Sequence, residues 1–303
     1  MDWPSTTQIL DNAIQGVSQN VNFVTPVFSV MAASLVASSP DLTRNLNFAG
    51  NCEKYHKNNG LADTLQGKYS FPQRTGRHGS TYSKLTKLAT NPEVDACNVI
   101  VGDLIHEQLG EKNPRAASRI TSVIGELHDN VASHAGGMGY SAVQTYSDPV
   151  ARIEFAIADR GRGMLRNVQK VSPSIQTHSD AIKWCLYPGN TTAHNKSSWD
   201  QRLPEDYIIN PYPTSVTTST CENHHMGLGL SKLADLVRDY GGSLWILSGN
   251  SHFFSGINGD NFGESRLKWD GVVIEFEIPI PFSSDSTLRP RPDLEELGKR
   301  TGI

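Results

Sequence analysis

Apolar side chains recur at helical spacing between residues 114 and 135: Val123, Leu127 and Val131 lie four apart, and Ile124 and Ala135 complete the stripe. The spacing predicts one long helix over 114–135. Asn113 stands at the N-cap, Pro114 at the first helical position, and Gly136 and Gly137 end it. A second row on this helix is polar. Glu126, Asn130 and His134 also lie four apart, which sets a carboxylate, a carboxamide and an imidazole along one face. Such a row can hold a metal ion and orient a water, or it can be an ordinary wetted face. The helix alone does not decide.

The same reading along the chain predicts further elements. Residues 7–17 read as a short helix or an irregular leader. The segment from Val21 starts as a short strand and continues as an apolar helical run. LTRNLNF reads as a strand, and CEKYHKNNG as a helix ending near Gly60. Residues 68–80, with proline, glycine and basic residues, read as a loop or linker, and 98–109 as a helix. Ile153, Phe155 and Ile157 alternate with Arg152, Glu154 and Ala156, which predicts a strand running into Asp159-Arg160-Gly161-Arg162-Gly163. A long polar region from about 165 to 226 holds one helix candidate, DAIKWCLY. His225-Met226-Gly227-Leu228-Gly229 then opens the helix SKLADLVRDY, and SLWILSG reads as a strand. Residues 250–269 read as a Gly/Asn/Ser-rich excursion. In the final strand, GVVIEFEIPIP, Val272, Ile274, Phe276 and Ile278 share a face. The last 20 residues read as a loose tail.

Composition narrows the class. The chain has 303 residues, 37% hydrophobic and 19% charged, with a net charge of −4, which suits a globular protein with a proper core. No stretch gathers five or six basic residues, so no nucleic-acid or anionic-membrane surface is expected. No run of about 18 apolar residues is present, and the N-terminus lacks a basic segment followed by an apolar one. Four cysteines, Cys52, Cys97, Cys185 and Cys221, stand far apart with no C-x-x-C pairing, so a cytoplasmic location is expected. Cys221, His224 and His225 lack a fourth ligand at metal-site spacing.

Three pieces stand in order: E-x-x-x-N on a helix, D-x-G-x-G after a strand, and G-x-G opening a helix after a long loop. Each is weak singly. As an ordered set over about 110–281 they resemble the GHKL ATPases, the superfamily of DNA gyrase, the large heat-shock chaperone, histidine kinases and the mismatch-repair ATPase. The resemblance implies an α/β fold, an α+β two-layer sandwich in which a mixed sheet is covered on one face by helices. ATP would lie between this layer and a long lid. The expected organisation is an N-terminal α/β region over 1–109, an ATP-binding domain over 110–282 and a flexible tail over 283–303. The segment VNFVTPVFSVMAASLV with NLNF and CEKYHKNNG resembles the small STAS-like region of some bacterial regulators, which implies a docking or regulatory surface.

Site roles follow from the resemblance together with residue chemistry. Glu126 would accept the proton from the attacking nucleophile. Asn130 would offer an amide oxygen to Mg2+, a hard cation that keeps several waters, and His134 would extend the row. Asp159 would accept a hydrogen bond from the adenine amino group. Gly161 and Gly163 would let the backbone approach the base, and Gly227, Leu228 and Gly229 would present amides to phosphates. Within the lid, Pro188-Gly189-Asn190-Thr191-Thr192 resembles a P-G-x-S/T-T element. Thr191, Thr192, Asn195 and Lys196 would reach the phosphates on closure. One departure stands out: relatives often carry a threonine on a late strand near the phosphates, where the final strand here has Val and Ile. Glu at 126, where histidine kinases usually have Asn, favours hydrolysis or hydroxyl phosphorylation. Three functions remain: a Mg-dependent ATP-hydrolysing conformational switch acting with a protein partner or as a homodimer, a serine/threonine kinase of the anti-sigma-factor type, or a non-catalytic ATP sensor.

Overall fold

The computed structural model describes residues 3–36, 38–39, 41–72, 81–111, 113–131, 138–147, 150–190 and 229–280. A five-stranded sheet lies at its centre, in the order β3 (Thr86–Leu88), β4 (Gly139–Tyr146), β5 (Arg152–Asp159), β7 (Gly259–Pro279), β6 (Ser243–Gly256). Every neighbouring pair in this sheet is antiparallel. Parallel pairing occurs in a separate two-stranded sheet, β1 (Gln19–Val21) with β2 (Leu46–Phe48).

Alternation along β5 divides the molecule. Ile153, Phe155 and Ile157 enter a core with Leu244, Ile246, Ile274, Phe276 and Ile278. That core is closed by α6 (Asn91–Leu109), α7 (Pro114–Asn130), α8 (Gly163–Val168), α9 (His178–Leu186) and α10 (Gly229–Asp239). This sheet and its helix layer form the expected α+β sandwich. The opposite face is also covered. There Ala156 and Ala158 join Tyr140, Ala142, Trp269 and Val273 against α1 (Trp3–Ile14) and α2 (Pro26–Val36). The sheet side offers alanines, and from α2 the small Ser34 side chain donates its hydroxyl to the Ala158 carbonyl at 3.4 Å, so the helix can approach closely. All residues of α2 from Pro26 to Leu35 are buried, as befits a helix with apolar side chains all round. α3 (Leu42–Asn45), α4 (Asn51–Asn58) and α5 (Leu61–Leu65) complete this side.

Several expectations are corrected by this arrangement. Only the last three residues of LTRNLNF form a strand; the preceding four are helical. The helix expected over 98–109 starts at Asn91, because Thr90 accepts a hydrogen bond from the Glu93 amide at 3.4 Å and Pro92 occupies the first turn. β3 and α6 lie before residue 110 yet build the central sheet and its helix layer. The excursion expected at 250–269 is instead the far part of a β6–β7 hairpin, paired from Gly249↔Trp269 to Gly256↔Gly259. The leading helix runs from Trp3 to Ile14, and Trp3 stacks on Trp245 at 5.6 Å. The last residues, 281–303, lie outside the described residues. Among the described residues no helix is long and apolar enough to cross a membrane.

Candidate functional site

The helix carrying Glu126 and Asn130 starts as its sequence dictates and is described as α7 to Asn130; the end expected at Gly136 and Gly137 lies outside the described residues. The Asn113 side chain accepts from the Ala116 amide at 3.0 Å, and Pro114 sits in the first turn. Val123, Ile124, Leu127 and Val131 are buried against the sheet. Glu126 and Asn130 stay partly exposed on the other side.

An internal network fixes this helix in place. His128, fully buried, meets Asn98 Oδ1 through Nδ1 at 2.6 Å and Ser141 Oγ through Nε2 at 2.8 Å. The Cys97 Sγ lies 3.8 Å from the same Nε2. These contacts tie α7 to α6 and to β4. A serine, a histidine and an asparagine in a hydrogen-bonded row suggest a nucleophile triad, but Ser141 is only 1% exposed, so no substrate reaches it. Burial pushes the His128 imidazole down to about 3, so it is neutral and a poor base near pH 7. The network is structural.

Val131, one residue beyond Asn130, leaves no room for a side chain at Gly139: a Cβ there would lie 2.6 Å from Val131 Cγ1. Gly139 in turn pairs with Asp159 across β4 and β5. The end of α7 therefore meets the end of β5. Asp159 is buried there, and its Oδ1 accepts a hydrogen bond from the Gly161 amide at 2.7 Å. Burial raises its carboxyl to about 6, against the pull of the Gly161 and Val272 amides and of Arg160, which hold it ionised. Its carbonyl accepts from Trp269 Nε1 at 2.8 Å, and Arg160 stands over that ring at 5.2 Å from the centroid.

Two glycines make this corner possible. Gly163 turns with φ of +70°, and a Cβ on it would lie 3.1 Å from Ser248 Oγ. Gly271 has φ of +122°, and a Cβ would sit 2.8 Å from Asp159 Oδ1. Both backbones are in the region that favours glycine. Ser248 links them, accepting from the Met164 amide at 3.0 Å and donating to the Gly271 carbonyl at 2.8 Å. The hydroxyl at this corner thus comes from β6 and not from the final strand.

Glu126 does not stand free. Its Oε1 receives Lys232 Nζ at 2.7 Å, and Lys232 belongs to the first turns of α10, after Gly229. Ser122, Glu126, Lys232 and Asp235 help line a groove of about 460 Å³ between α7 and α10. Lys232, Ser248 and Gly271 were all missed from sequence. A lysine one turn after G-x-G was the available signal for the first.

The structure thus brings the end of α7 to Asp159, and Glu126 to the start of α10. His134, Thr191, Thr192, Asn195, Lys196, Gly227 and Leu228 lie outside the described residues, as does the metal reading of Cys221, His224 and His225. Of the P-G-x-S/T-T element, Pro188 to Asn190 are described. Gly189 has φ of +89°, and Asn190 Nδ2 donates to the Trp184 carbonyl at 2.9 Å. Among the described residues no group of three or more His, Cys, Asp or Glu is arranged to hold a metal ion. Comparisons with protein-family models, curated proteins and solved structures returned no match.

Proposed function

We propose that this chain is a Mg-dependent ATP-binding protein of the GHKL type that hydrolyses ATP as a conformational switch. The observation that carries the reading is the Asp159 corner. A buried carboxylate, held by the Gly161 amide and closed over by Gly163 and Gly271, adjoins the end of the helix bearing Glu126 and Asn130. A buried acceptor of this kind suits an amino group presented by a flat ring, and adenine carries one. Asn130 offers a neutral oxygen rather than a charged cage, which fits a hard cation that keeps its waters and takes phosphate oxygens. Bound Mg2+ would neutralise developing phosphate charge.

In this reading Glu126 takes a proton from water as the water oxygen bonds to the γ-phosphorus. The bond from that phosphorus to the bridging oxygen breaks, its electron pair stays with ADP, and phosphate leaves. The bound and the hydrolysed nucleotide would offer different surfaces to a protein partner or a second copy. Residues 3–65, which cover the other face of the sheet, would serve as a docking or regulatory part.

Incubation with γ-labelled ATP and Mg2+ tests the reading. Free labelled phosphate from the wild type, and loss of at least about 100-fold of that rate in Glu126→Ala with ATP binding retained, is the expected result. Labelled protein instead would favour the kinase, and bound but intact ATP the sensor. Turnover that survives the substitution removes Glu126 from the base role.

A further inference from the structure

The partner of the proposed base has its own consequence. The Glu126–Lys232 pair joins α7 to α10 across the groove, with Glu126 24% and Lys232 49% exposed. Another cation lining that groove, Arg119, is held by an α10 carboxylate, Asp239, at 2.9 Å. Lys232 instead holds the side chain assigned to the chemistry.

We propose that Lys232 is a positioning residue that clamps the Glu126 carboxylate to α10 until the terminal phosphate of ATP draws its ammonium away. The inference rests on the ATP reading above. Its physical basis is an unequal competition. A carboxylate carries one negative charge and a terminal phosphate carries more, so the ammonium favours phosphate wherever both are in reach. An ion pair this exposed is weak and costs little to break. The lysine is the partner that moves. It sits on a flexible four-carbon stem with three rotatable donors, whereas the helix under Glu126 is pinned by His128 to Asn98 and Ser141. A clamped Glu126 faces the ammonium rather than water, so hydrolysis waits until a triphosphate is seated. ADP, lacking the terminal phosphate, leaves the clamp shut.

Calorimetric titration of the full chain with Mg-ATP and Mg-ADP, for wild type, Lys232→Met and Lys232→Arg, tests this. Lys232→Met is expected to weaken ATP about tenfold and ADP less than about twofold, while Lys232→Arg stays within about threefold of wild type for ATP. A merely structural lysine would not separate the two nucleotides. Equal affinities for wild type and Lys232→Met, or equal losses for ATP and ADP, overturn this inference and leave the ATP reading standing. A wild-type protein with no ATP affinity overturns both. Because the pair is exposed, Lys232→Met is expected to melt with the wild type, which separates a binding defect from unfolding.

Discussion

β5 carries a buried carboxylate near each end, and the two are treated differently. At one end Asp159 accepts the Gly161 amide at 2.7 Å, among glycines at positive φ and close to the end of α7. At the other, Glu154 is 5% exposed and faces Glu275 and Glu277 on β7, on the sheet side covered by the N-terminal helices. Arg152 Nε pairs with Glu277 there at 3.1 Å and its guanidinium stacks over Tyr146 at 4.1 Å. Burial raises both carboxyls above their ordinary range, but the remaining causes differ. Backbone amides and a cation hold Asp159 as an anion. Burial and then the Glu154 charge push Glu275 up, so the two favour sharing a proton. One end of the strand surrounds its carboxylate with amide donors and a cation, the other with further carboxylates.

The largest effect in this comparison belongs to Gly271. A side chain there would take an unfavourable φ of +122° and collide with the Asp159 carbonyl. Gly271→Ala is expected to cost about 2–4 kcal/mol, read as a fall in the melting midpoint, and to abolish nucleotide binding with it. A variant as stable as wild type would mean that the two strands separate freely at the corner.

A smaller effect, of opposite sign, is expected at the other end. Glu154 titrates above its ordinary value of 4.5, so its contribution to stability is full below that value and is lost as pH rises through the folded pKa. Glu154→Gln removes the loss. It is expected to stabilise the protein by about 1 kcal/mol at pH 8 and to leave nucleotide affinity unchanged. Denaturant midpoints of both proteins between pH 4 and 9 check this. Parallel pH profiles would show that the buried pair carries no cost.

The legibility of these parts follows their surroundings. The α7 stripe and the alternation in β5 and β7 were readable because each of those elements buries a distinct set on the helix-layer side. β4 was not recognised. It is flanked by β3 and β5 and covered on both faces, so its GYSAVQT run shows no alternation, and Ser141 is polar because His128 needs a partner. The far part of the β6–β7 hairpin was hidden by Gly256, Asn258 and Gly259, which read as loop but make the turn. The N-terminal cover was hidden for another reason. α2 is apolar all round, so its sequence gives no direction for packing against the sheet. In the site, the motif residues Glu126, Asp159 and Gly163 could be named in advance. The pairings of Lys232 with Glu126 and of Ser248 with Met164 could not, since the partners lie 106 and 84 residues away in the chain.

The most direct test of the central claim, that the Asp159 carboxylate receives a nucleotide base, is the pH dependence of ATP affinity in wild type and Asp159→Asn. The folded carboxyl titrates at about 6, and an amino donor binds the ionised form. Wild-type affinity should therefore climb, by at most about tenfold per pH unit, as pH rises towards 6, and level off above it. Asp159→Asn should bind at least about tenfold more weakly at pH 7.5 and lose that rise. It should be at least as stable as wild type at pH 7.5, because stability from the raised carboxyl is lost as pH rises through about 6. ATP affinity that is flat with pH in the wild type and undiminished in Asp159→Asn would contradict the account.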